Sequence, residues 1–281
     1  MPCILRELMR RSWLFWATGI AVFALTIIIA IAGNNYGPAQ GNQSNSRLSY
    51  TLKGTPTAIN PTINGQPSPS DSSFGFENSR LFAQSASSYR PVERLALAHP
   101  SNYGERVAVD INGNPETHTN LIVLHETVGS AGSALNTFRT NHPNDNDQVS
   151  YHTLIGLDGT IYYVVPPEQR AFGAGNSSFK AATGEESTFT NPDFPSSVNN
   201  FAYHISLEPP PDGNNNNTYH SGYTEAQDQS LAWLIARSTV PNDRITTQQA
   251  VDRSGSRMDP RSCEPDRLLR LLSQYPSRQG F

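Results

Sequence analysis

The sequence predicts a mixed α/β domain over residues 91–281, a central β-sheet flanked by helices, preceded by one N-terminal transmembrane helix (within 1–33) and a disordered linker (34–90). Three observations predict it. The segment Asn120-Leu121-Ile122-Val123-Leu124-His125 has four consecutive apolar residues, the pattern of a strand buried on both faces. Two β-rich runs, Tyr151–Ile155 and Thr160–Val165, flank Gly156-Leu157-Asp158-Gly159 and form a hairpin around Asp-Gly. Helical patterns are interspersed with these strands, which points to helices packed on a sheet.

In chain order, Trp13 to Ala32 carries no charge, and as a helix it spans about 30 Å, enough for a bilayer core. Arg6, Arg10 and Arg11 precede it, and no further Lys or Arg follows until Arg47. That asymmetry keeps the N-terminus in the cytoplasm and sends the rest across. We expect a single-pass plasma-membrane protein whose C-terminal domain faces the periplasm or cell-wall space. The competing reading is a secreted protein released by signal cleavage near Ala30-Ile31-Ala32, although an apolar region this long favours an anchor. Residues 34–90 are rich in Asn, Ser, Gly, Pro and Thr and hold too little apolar side chain to offset ordering entropy. They read as a tether of roughly 40 Å mean span.

From Pro91, Leu95, Leu97, Val107, Val109 and Ile111 suggest an edge segment leading to an Asn112-Gly113 turn. A short helix is expected at 133–141, with Leu135 and Phe138 on one side. Residues 174–199 read mostly as loop. Tyr203-His204-Ile205-Ser206-Leu207-Glu208 is a strand stopped by Pro209-Pro210-Pro211. Thr224-Glu225-Ala226-Gln227 opens a helix as a capping box, with Leu231, Leu234 and Ile235 as its buried stripe. Ile245-Thr246-Thr247 is short and extended, and 267–273 is a closing helix.

The net charge of −4, with 16% charged residues, gives no concentrated basic face and argues against a nucleic-acid partner. The two cysteines, Cys3 and Cys263, lie on either side of the apolar segment, so no disulfide framework is available.

Four features fall in order: His125 at the end of a strand, Tyr151-His152 opening a hairpin, Glu208 closing a later strand, and Arg257-Met258-Asp259-Pro260 before the last helix. Over Pro91–Leu272 this set resembles the zinc-dependent N-acetylmuramoyl-L-alanine amidases of the amidase-2 type, whose fold is shared with T7 lysozyme and the peptidoglycan recognition proteins. The resemblance implies a peptidoglycan or muropeptide substrate, cut at the amide between the muramyl lactyl group and L-alanine. It implies Zn2+ ligation by His125 and Asp259, a general base at Glu208, a carbonyl-polarising cation at Arg257 and a site-lining aromatic at Tyr151. Zinc with an open coordination position lowers the pKa of water and polarises a carbonyl, a carboxylate takes the proton, and a cation steadies the developing oxyanion.

Two positions depart from the pattern. The family segment shaped Ile-x-Thr-His-x-x-Val-Asp reads Ile245-Thr246-Thr247-Gln248-Gln249-Ala250-Val251-Asp252, which puts Gln248 at the second histidine ligand. A glutamine oxygen is neutral and hard, so zinc should be held weakly by His125, Gln248 and Asp259. Weak zinc with low activity, a rescue ligand from His152, His204 or Cys263, and a catalytically impaired peptidoglycan-binding module on the same fold all follow from that change. In Ala171-Phe172-Gly173-Ala174-Gly175, Gly173 stands where relatives carry histidine.

Overall fold

A computed structural model describes residues 88–279. The expected membrane helix and nearly all of the expected linker lie outside the described residues. Among the described residues no helix is long and apolar enough to cross a membrane. The domain begins slightly before the expected boundary at residue 91. The Tyr89 hydroxyl donates to Ala226 O at 3.0 Å and lies 2.7 Å from Ser230 Oγ, so this aromatic belongs to the packed domain.

The strands are β1 (Glu93–Leu95), β2 (Tyr103–Glu105), β3 (Leu121–Glu126), β4 (Thr153–Ile155), β5 (Ile161–Tyr163), β6 (Gln169–Ala171), β7 (Phe179–Ala181), β8 (Gly184–Glu186), β9 (Ala202–Leu207) and β10 (Ile245–Thr247). The α-helices are α1 (Ala131–Arg139), α2 (Glu225–Ala236), α3 (Gln248–Val251) and α4 (Pro265–Leu272). Six strands form the main sheet in the order β1-β5-β4-β9-β3-β10. Its pairs are parallel except the β4–β5 hairpin.

β3 lies between β9 and β10, and all six of its residues are buried. That is what a continuous apolar run in a parallel sheet requires, since helices or loops cover both faces. Side chains alternate across the sheet. Ile122 and Leu124 pack with Ile155, Ile205 and Leu207 against Leu231, Leu234 and Ile235 of α2 and Leu272 of α4. On the other face Leu135 and Phe138 of α1 cover Leu154 and Val164, while Leu121 and Val123 pack with Val198 and Val251. Each such fully buried aliphatic side chain contributes about 1.5–3 kcal/mol by leaving water. Ile205→Ala, at the centre of the α2 face, would cost about 2–5 kcal/mol.

Local chemistry sets the boundaries. Ser130 caps α1, its Oγ accepting from Ser133 N at 3.2 Å, so the helix starts two residues before the expected 133. The capping box of α2 forms as expected: Thr224 Oγ1 accepts from Gln227 N and Gln227 Oε1 accepts from Thr224 N. In the β4–β5 turn Gly159 has φ +80°, and a Cβ there would lie 2.7 Å from Ala226 O. Only glycine fits that turn and the closeness of α2 together. The 174–199 region contains the small β7–β8 hairpin, which the sequence reading treats as loop. Its strands are three residues each; Phe179-Lys180-Ala181 is too short for its alternation to stand out, and Gly184-Glu185-Glu186 has no apolar side chain to reveal it.

Candidate active site

The end of β3 sends its last two side chains to opposite faces. His125 follows Leu121 and Val123 onto the α1 face, and Glu126 follows Ile122 and Leu124 onto the α2 face. Both meet the turn that carries Asp259-Pro260-Arg261, which tertiary folding brings beside β3.

His125 is buried, and its Nδ1 lies 3.6 Å from Asp259 Oδ2. The same Oδ2 accepts from the backbone N–H of Glu126 at 3.4 Å. The other ring nitrogen of His125, Nε2, lies 2.8 Å from His204 Nδ1. Burial, with the Arg257 charge nearby, pushes the His125 pKa down, while Asp259 works the other way; burial wins. Tyr151 stacks at a tilt on His125, ring centroids 4.5 Å apart, and meets Phe138 edge-on at 5.5 Å. Burial, assisted by the Asp259 charge, raises the Tyr151 phenol, so it stays neutral at any physiological pH. Arg257 is exposed, and its backbone N–H donates to Asp252 Oδ2 at 3.0 Å.

β10 pairs with β3 up to Thr247↔Leu124, so Gln248, the next residue, stands level with His125. Gln248 is buried, and its Oε1 has no hydrogen-bond partner. Its neighbour Gln249 donates its N–H to Asp259 O at 2.9 Å, tying α3 to the ligand-bearing turn. His125, Gln248 and Asp259 are therefore brought together.

These donors can be tested against a metal ion. Ligands at about 2.0–2.1 Å around a tetrahedral zinc stand about 3.3 Å from one another. The 3.6 Å between His125 Nδ1 and Asp259 Oδ2 is close to such an edge, and Gln248, with its buried oxygen unpartnered, follows the strand paired with β3. The chemistry of these three side chains would suit a divalent ion held more loosely than by two histidines and a carboxylate. Among the described residues no group of three or more His, Cys, Asp or Glu side chains could hold a metal. A rescue ligand is thus not supplied: His152 Nδ1 accepts from His204 N at 2.9 Å, and His204 Nδ1 is turned to His125. Cys263, half-buried, lies in the irregular stretch between the Asp259 turn and α4.

Glu208, expected as the general base, is held by two backbone N–H groups. Its Oε1 accepts from Ala131 N, at the start of α1, and its Oε2 from Leu157 N in the β4–β5 turn, both at 2.9 Å. The β9 side chain in register with His125 on the same face is Ser206, buried and with Oγ unpartnered. Gly173 also has a structural counterpart. A Cβ at this residue would lie 2.7 Å from both Cγ and Nδ1 of His204, so that imidazole occupies the space.

Sequence reasoning missed the cluster on the opposite face. Glu126 is buried and accepts from Arg261 Nε at 2.8 Å, from Arg261 N at 3.2 Å and from the Tyr223 hydroxyl at 2.5 Å. His220 Nε2 lies 2.8 Å from its Oε2, and His220 Nδ1 accepts from Gly222 N, which places the ring proton on Nε2. Arg261 also donates to the carbonyls of Asn215 and Asn217. The one available signal is Glu126 two residues after a run of four buried apolar positions, a charge in need of a partner.

A protein-family model described as N-acetylmuramoyl-L-alanine amidase matches residues 115–262, just over half of the chain. The chain belongs to this family. Its fold is also similar to solved amidase structures. A selenomethionine derivative of AmpD is 24% identical, with a TM-score of 0.45, over 66% of this chain and 96% of that one. AmpDH3 from Pseudomonas aeruginosa, solved with anhydromuramic pentapeptide, is 19% identical with a TM-score of 0.39, over 66% of this chain and 64% of that one. AmpD from Citrobacter freundii is 22% identical with a TM-score of 0.37, over 60% and 90% of the two chains. No curated protein sequence matches the chain.

Proposed function

We propose that this amidase-family domain binds the muramyl peptide of peptidoglycan and hydrolyses the amide between the lactyl group and L-alanine, with a weakly held zinc ion. The observation that carries the reading is the His125 Nδ1–Asp259 Oδ2 pair at 3.6 Å, with the unpartnered Gln248 oxygen alongside, within the stretch that the family model matches. When bound, the ion would acidify a water and polarise the substrate carbonyl. His125, Asp259 and Gln248 would hold it. Arg257, exposed at the rim, would stabilise negative charge developing on the carbonyl oxygen. Tyr151 would line the site and hold the His125 ring in place by stacking. To act as base, Glu208 would use a lone pair left over beside the two backbone amides it accepts from.

That clamped carboxylate and the Gln248 substitution favour a second reading, a peptidoglycan-binding module with impaired turnover. The N-terminal sequence supports a membrane tether, with residues 34–90 as linker and the domain in the periplasm or wall space.

Elemental analysis of the full chain after dialysis against trace zinc, alongside release of soluble stem peptide from sacculi, separates the two. Near one zinc per chain and release abolished by chelator is the expected outcome. Near zero zinc, with chelator-insensitive sacculus binding and no peptide released, establishes the binding module instead.

A further inference from the structure

The His125 imidazole is held from behind by a second imidazole. His204 Nδ1 lies 2.8 Å from His125 Nε2, and both rings are fully buried on the α1 face of the sheet. The register of β3 and β9 pairs Val123 with His204 and His125 with Ser206, so His204 sits one step behind His125 along the sheet. His204 is itself tied down. Its backbone N–H donates to His152 Nδ1, and its ring stacks on His152 with centroids 5.6 Å apart and 11° between planes. Its place depends on Gly173, because any Cβ there would stand 2.7 Å from two of its ring atoms.

We propose that His204 is a positioning residue for His125: its Nδ1 accepts the Nε2–H of His125, which leaves the His125 Nδ1 lone pair facing Asp259, and Gly173 is the gap in the chain that admits this second imidazole. The proposal rests on the metal-site reading above for its purpose but on the 2.8 Å contact for its geometry. A neutral imidazole has one donor and one acceptor nitrogen, so the partner of one nitrogen decides what the other can do. A ligand histidine that donates its second N–H to a fixed acceptor is held in one tautomer and one orientation, and losing that acceptor weakens metal binding by roughly 10–100-fold. In this arrangement the proton of His204 sits on Nε2, which has no partner of its own. A buried unpaired N–H is costly and rarely kept without a gain elsewhere.

The test uses the full chain with two readouts: Zn2+ affinity by competition with a chromophoric chelator, and the His125 tautomer from 15N shifts of the metal-free protein. His204→Leu keeps an apolar side chain of similar bulk and removes the acceptor. His204→Asn can place its Oδ1 where Nδ1 stood. In the unaltered protein His125 should carry its proton on Nε2. H204L should lose that tautomer preference and bind Zn2+ roughly 10–100-fold more weakly, while H204N recovers most of the loss. Unchanged tautomer and affinity in H204L, or a proton on Nδ1 of His125 in the unaltered protein, would overturn the assignment. A parent protein that binds no Zn2+, yet shows the tautomer change in H204L, upholds His204 and counts against the metal reading alone. Should H204L fail to fold, Gly173→Ala carries the same test, since it drives the imidazole off its position without removing it.

Discussion

His125 and Glu126 are adjacent in sequence, face opposite sides of one strand, and meet the same turn two residues apart, at Asp259 and Arg261. Their surroundings differ. On the Glu126 side every strong group is answered: Arg261, His220 and Tyr223 converge on one carboxylate, and the guanidinium also donates to nearby backbone carbonyls. On the His125 side the buried Gln248 Oε1, Ser206 Oγ and His204 Nε2 lack partners. Unsatisfied buried polar atoms cost about 1–3 kcal/mol each, so a fold optimised for stability alone would not gather them. The comparison assigns the labour: one face of β3 anchors the turn, and the other presents donors to a ligand.

The largest effect should come from breaking the anchored face. Arg261→Met strips the buried Glu126 charge of its guanidinium, leaving only the Tyr223 hydroxyl and His220 beside it, and should cost about 3–5 kcal/mol, read by thermal or urea unfolding. If the anchor serves the site, Asp259 should also lose its place, and zinc affinity should fall with stability. Stability lost with zinc affinity intact would separate the two faces.

Glu208→Gln tests a carboxylate that the sequence assigns to chemistry and the structure ties to two backbone amides. A glutamine can accept from one and opposes the other with its own N–H. Unfolding should therefore register a loss of about 1–3 kcal/mol. Unaltered stability with abolished turnover would restore it as a free base.

Gln248→His acts on the open face. It should tighten zinc by about an order of magnitude, or about 1.4 kcal/mol, measured by chelator competition. Equal affinity would mean that Gln248 is not a ligand.

The most gradual effect is acid sensitivity. Burial holds the pKa values of His152 and His204 well below the ordinary histidine value. The unfolded chain therefore takes up protons that the folded one refuses once the pH drops below about 6.5. Stability should be level above that pH and fall below it, by up to about 1.4 kcal/mol per pH unit for each imidazole. Melting temperatures that stay level from pH 7.5 to 5 would show these rings to be protonated in the fold.

By itself the sequence determined the elements whose causes are local. Four apolar residues before His125 made a two-face-buried strand, Asp158-Gly159 made the hairpin, and Thr224 with Gln227 made the helix cap. The ordered motif set pointed to the family, and it named His125 and Asp259, which stand 3.6 Å apart, and Gln248, which follows the strand paired with β3. What it could not decide depends on contacts across long separations. Whether Glu208 stands free or clamped depends on where Ala131 and Leu157 come to rest. That Ser206 rather than Glu208 stands level with His125 follows from the register of β3 on β9, since residues two apart share a face and only their position along the strand separates them. Arg261 finds Glu126, and His204 fills the space above Gly173, only once the sheet and the final turn have packed. Local patterns carry propensity. The pairing of buried charges and imidazoles is set by three-dimensional neighbours, because it is removal from water that makes each of them need a partner.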